Sequence, residues 1–110
     1  KDIVQLATPF FQNLTYHADY LSLLVDSKSK AIYSMLIKKI EGLQLLNELD
    51  IKLIISDIGN NLNIKGKDLF FPIRLAIWGD VHGPDIGLII KILEKEKSLE
   101  RLNRALNYGK

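Results

Sequence analysis

Apolar residues recur along this chain at helical spacing. Ile51, Ile54, Ile55, Ile58 and Leu62 fall at i, i+3, i+4, i+7 and i+11, one continuous stripe along a helix. Ile86, Ile89, Ile90 and Leu93 repeat the pattern. Leu99, Leu102 and Leu106 form a narrower stripe, and Ile32, Leu36, Ile40, Leu43 and Leu46 a longer one. No stretch alternates strictly between apolar and polar residues flanked by hairpin turns. The helical stripes therefore outweigh the strand propensity of the many isoleucines.

Local punctuation fits the same pattern. Asp50 is placed to cap a helix from Ile51, and Gly59-Asn60-Asn61 weakens its end. Thr8-Pro9 opens or kinks a short helix near Phe10 and Phe11. Gly83-Pro84-Asp85 suits a helix start, with Pro84 in the first turn and Asp85 favourable toward the helix dipole. Glu94-Lys95-Glu96-Lys97 reads as a charged break or solvated turn before the last helix. The expectation is an all-α fold, a compact helical bundle of about six or seven helices, with residues 1–110 forming one domain.

Composition narrows the class. The 110 residues suffice for a single core, and 47% hydrophobic with 25% charged residues describes a globular chain. No apolar run approaches the roughly 20 residues of a membrane span, and no secretory leader is legible at the start. The absence of cysteine excludes disulfides and thiolate metal sites. A chain that begins at Lys1 and has Met35 as its one methionine reads as a piece of a longer protein.

The net charge of +2 is small, but it is unevenly spread. Residues 1–60 carry six lysines against seven acids, net −1; residues 61–110 carry six lysines and three arginines against six acids, net +3. That bias suits phosphate contacts, and it suits solvated helix faces equally.

Catalytic signatures are nearly absent. His17 and His82 lie far apart, and nothing resembles a nucleophile elbow. Asp80-x-His82 offers two metal ligands without a third, so a surface-loop histidine is the stronger reading. His17 is expected to cap or pack near Tyr16 and Tyr20. Lys65-Gly66-Lys67 is a basic turn between helices, open to a phosphate contact and, on the residues alone, more readily a solvated turn. Phe71 and Trp78 are candidates to stack a base, although Phe70 and Phe71 are expected in the core.

Arg74 stands apart, because it sits in an apolar block from Leu69 to Trp78. A guanidinium keeps its charge and presents five donors in a planar fork. Pro72 before it and Gly79 after it mark the entry and exit of a short helix. Such a group needs either a carboxylate, for which Asp80 and Asp85 are candidates, or a ligand with acceptor atoms, such as the edge of an unpaired RNA base. On the residues alone the two readings stand even.

The run Lys65–Leu102, KGKDLFFPIRLAIWGDVHGPDIGLIIKILEKEKSLERL, resembles the C-terminal anticodon-binding domain of bacterial-type glutamyl-tRNA synthetases, and the likeness extends from about Asp2 to Leu106. The chain keeps Lys65, Gly66, Lys67, Pro72, Arg74, Ala76, Gly79, Gly83, Pro84, Lys95 and Glu96 of that pattern. It departs at Trp78, where threonine is usual, and at Glu94, where glycine is usual. Residues 1–60 match loosely, through Ala7–Phe11 and the helical spacing.

The resemblance implies a helical cage that grips the anticodon loop of glutamate tRNA. Arg74 would hydrogen-bond an anticodon base, and Gly83, Pro84 and Ile86 would pack against splayed bases. Lys65 and Lys67 would touch phosphates. The resemblance also implies that ATP, magnesium and glutamate are handled by a catalytic domain of the parent enzyme. This fragment is expected to be non-catalytic, cofactor-free, cytoplasmic, monomeric and away from membranes. Two alternatives remain open: a helical protein–protein interaction module, and the helical anticodon region of a class I lysyl-tRNA synthetase.

Overall fold

The apolar stripes become the inner faces of helices. The computed structural model describes residues 14–109. A 3-10 turn, Ala18–Tyr20, leads into five α-helices: α1 (Leu21–Val25), α2 (Ser27–Glu41), α3 (Glu48–Leu62), α4 (Lys67–Trp78) and α5 (Ile86–Leu106). The described residues contain no strand, as the periodicity predicts, but they hold five α-helices rather than six or seven. The short helix expected near Phe10 and Phe11 lies outside them.

The core is built mainly where α2, α4 and α5 meet. Ile32, Leu36 and Ile40 of α2, Ile73 and Ile77 of α4, and Ile89, Ile90 and Leu102 of α5 are fully buried. Ile51, Ile55 and Ile58 bring α3 against the same core. Each such side chain contributes about 1.5–3 kcal/mol relative to exposure. Leu43 and Leu46 fall outside α2, because the helix stops at Glu41 with Gly42 as its C-cap.

Several boundaries differ from the sequence reading, each for a local reason. α3 starts at Glu48, since Asn47 is the cap. The Asn47 side-chain oxygen accepts from the Asp50 N–H at 2.8 Å, and its amide donates back to the Asp50 carboxylate at 2.7 Å. Gly59 does not end α3. A β-carbon there would lie 2.7 Å from the Ile64 carbonyl oxygen and 2.8 Å from Leu69 Cδ2, so its bareness lets the returning chain close on the helix. Asn63, left-handed at φ 56°, ends it instead.

Pro72 is not the entry to α4 but lies inside it, where it removes one N–H from the helical ladder. Its carbonyl accepts from the buried Tyr33 hydroxyl at 2.8 Å, which fixes α4 to α2. Pro84 likewise precedes α5 rather than entering its first turn; Asp85 is the cap, its carboxylate accepting from Leu88 N–H at 3.3 Å.

The charged run at Glu94–Lys97 is a kink rather than a separate turn. Glu94 alone has non-helical dihedrals, φ 65° and ψ 175°, and the helix resumes at once. The buried Ser98 hydroxyl donates to the Ile90 carbonyl across the break at 3.3 Å. Two lysines tie α2 and α5 end to end. The Lys95 ammonium donates to the Glu41 and Leu43 carbonyls, at the end of α2. The Lys30 ammonium donates to the Ala105, Leu106 and Tyr108 carbonyls, at the end of α5. A cation on the last carbonyls of a helix satisfies orphan acceptors and opposes the dipole's negative end.

Candidate nucleic-acid interface

The turn after α3 and the loop before α5 leave a groove between α3, α4 and the start of α5. Its volume is about 580 Å³, within the roughly 300–1,000 Å³ of small-ligand sites. Lys52, Ser56 and Asn60 line it from α3, Lys65 and Gly66 from the turn, Phe70 and Arg74 from α4, and Asp85 and Ile86 from the start of α5. Gly66 has φ 64° and ψ −138°, a conformation that glycine adopts without strain, and it directs the basic turn into α4.

Arg74 is half-buried and pairs with neither Asp80 nor Asp85. Its Nε donates to the Pro84 carbonyl at 3.1 Å, and its Nη1 to the Val81 carbonyl at 3.0 Å. Two of its five N–H donors thus anchor the loop before α5, and three are left over among the described residues. The arginine fixes the loop, and the loop fixes the arginine. Asp80 serves the same loop, with its carboxylate accepting from Val81 N–H at 2.7 Å and His82 N–H at 3.4 Å.

The fully buried arginine of this chain is a different one. Arg101 is 3% exposed and donates from Nη1 to the Ile77 carbonyl at 2.7 Å, near the end of α4. Burial holds its pKa below the usual arginine value.

Of the residues expected from the sequence to touch RNA, Lys65, Arg74 and Ile86 share the groove. Ile86 is 4% exposed and belongs to its floor. Pro84 reaches the site through its carbonyl on Arg74. Gly83 is exposed and lies beneath the indole of Trp78. Lys67 is exposed in the first turn of α4 and does not line the groove. Phe71 is packed against the core with its ring 5.7 Å from that of His82, edge to face.

Phe70, expected in the core, is 42% exposed instead. The signal for this lies in its spacing. Phe70 and Arg74 are four residues apart on one helix and so share a face. His17 caps the 3-10 turn by accepting from Asp19 N–H at 3.2 Å, and its ring lies 5.3 Å from that of Tyr20. Among the described residues no group of three or more His, Asp or Glu side chains could hold a metal, and no helix is long and apolar enough to cross a membrane.

Comparison with known proteins places this geometry in a family. The family model described as an anticodon binding domain matches residues 1–106. The glutamate–tRNA ligase of Listeria monocytogenes serotype 4b is 32% identical over 105 residues, covering 93% of this chain and 21% of that protein. The glutamate–tRNA ligase of Geobacillus thermodenitrificans is 33% identical over 107 residues, covering 96% of this chain and 22% of that protein. The fold matches that of a glutamate tRNA ligase from Elizabethkingia meningosepticum, solved in complex with its amino acid. The TM-score is 0.83 at 22% identity, over 100% of this chain and 22% of that one. The chain therefore spans about a fifth of the length of the relatives it matches. Matched by the family model along nearly its whole length, and by glutamate–tRNA ligases at about a third identity, the chain belongs to the anticodon-binding domain family.

Proposed function

We propose that this chain grips the anticodon loop of glutamate tRNA as the C-terminal part of a monomeric, cytoplasmic glutamyl-tRNA synthetase. The observation that carries this reading is the anchored state of Arg74. Two carbonyls of the loop before α5 hold its guanidinium at the groove. The remaining N–H donors then meet the edge of a splayed base with little orientational freedom left to lose. Gly83, Pro84 and Ile86 form the surface against which splayed bases rest. Lys65 and Lys67 attract the sugar–phosphate backbone without reading sequence. Glutamate activation, with ATP and magnesium, belongs to the part of the parent enzyme outside these residues.

The test is binding of the full-length protein to cognate and base-substituted anticodon loops. Arg74→Ala is expected to lose roughly 5- to 150-fold on the cognate loop and much less on the substituted one, the loss of about 1–3 kcal/mol typical of one base-edge interaction. Arg74→Lys keeps the charge but not the fork, so it should behave nearly as badly. Lys65→Ala and Lys67→Ala should weaken every RNA alike and flatten the salt dependence, by about 0.7 in log–log slope for each phosphate no longer neutralised. An equal loss on both loops for Arg74→Ala would make its role purely structural.

A further inference from the structure

We propose that Phe70 is the stacking platform of the groove, and that its ring holds an unpaired base of the bound RNA while Arg74 meets that base's edge. This deepens the anticodon reading and rests on it. Three observations carry it. Phe70 is 42% exposed, although it lies in an apolar run of α4 that is otherwise largely buried. It lines the same groove as Arg74, one helical turn away on the same face of α4. The charge of the lining suits a polyanion: Lys52, Lys65 and Arg74 stand against one carboxylate, Asp85, which is turned onto the N-terminus of α5 as its cap.

An exposed phenyl ring beside cations is a poor surface for water and a good one for a base, since every base has a π-face. The division of labour follows from the chemistry. Stacking tolerates any base and supplies affinity, whereas the forked donors distinguish edges and supply identity.

The experiment uses the full-length protein and glutamate-tRNA anticodon stem-loops that carry 2-aminopurine singly at each unpaired position. Wild-type protein should change the fluorescence strongly at one position. Phe70→Ala should abolish that change and weaken cognate and base-substituted loops by the same factor, about 5- to 150-fold. Phe70→Trp should preserve both signal and affinity, and Phe70→Leu should behave like Phe70→Ala. Melting temperature should stay near the wild-type value in all three, because the ring is not core. If Phe70→Ala keeps the signal and the affinity while Arg74→Ala still loses discrimination, the stacking role falls and the anticodon reading stands. If wild-type protein binds none of the loops, both fall.

Discussion

The indole of Trp78 occupies the space that a side chain at residue 83 would need: a β-carbon on Gly83 would lie 2.5 Å from both Cδ1 and Nε1 of Trp78. The two positions are therefore coupled. The bulk of the indole is accommodated by the bare backbone opposite. Gly83→Ala is expected to cost about 1–3 kcal/mol by overpacking. In a Trp78→Thr background the same change should cost less than about 0.5 kcal/mol. A double-mutant cycle by denaturant unfolding measures the coupling. Equal costs in both backgrounds would show that the indole moves aside freely.

Glu94 occupies a backbone region, φ 65° with ψ 175°, that is essentially reserved for glycine. Holding a residue with a β-carbon there costs about 1–3 kcal/mol, and glycine gives back about 0.5–1 kcal/mol in chain entropy. Glu94→Gly should therefore stabilise the protein by about 1 kcal/mol and raise its melting temperature by several degrees. Glu94→Ala, which keeps a β-carbon, should gain nothing. A calorimetric comparison of the two variants checks this.

Burial pushes the Tyr33 phenol well above its usual range, so it stays protonated and donates to the Pro72 carbonyl. In the unfolded chain a tyrosine loses its proton near pH 10. Above that pH the unfolded state binds fewer protons than the native state, so stability falls as pH rises. Tyr33→Phe should cost about 1 kcal/mol at pH 7 through the lost hydrogen bond. The same variant should show a shallower loss of melting temperature between pH 9 and pH 11 (set by that pKa of about 10). Parallel curves for the two proteins would mean that other groups govern the alkaline limb.

Much of the fold is legible in the sequence because burial imposes periodicity. The stripes on α2, α3 and α5 name the residues that line the core, and the charged run from Glu94 marks the kink in α5. The site is legible only in part, because side chains that choose backbone partners leave no pattern. Asp80 and Asp85 stand near Arg74 in sequence, yet the arginine bonds carbonyls, which are present at every residue and so carry no sequence signal. The buried arginine is Arg101, hidden in a charged stretch, Glu94–Arg104, whose composition suggests solvent. Phe70 and Phe71 are neighbours of the same type, and only the helical register places one in the groove and the other against the core. Asn47 competes with Asp50 as the cap, since asparagine three residues ahead of an acid fits a reciprocal capping pair as well.

The three carbonyls around Lys30 have a chemical consequence. An ammonium with its three protons donated to Ala105, Leu106 and Tyr108 is a poor nucleophile, because it must first shed a proton that the helix end is holding. Acylating reagents should modify exposed Lys52 and Lys91 at ordinary rates and reach Lys30 only when the end of α5 frays. The pace of Lys30 acylation, followed by mass spectrometry, is thus a built-in clock for the opening of that terminus. Once modified, the residue can no longer close it.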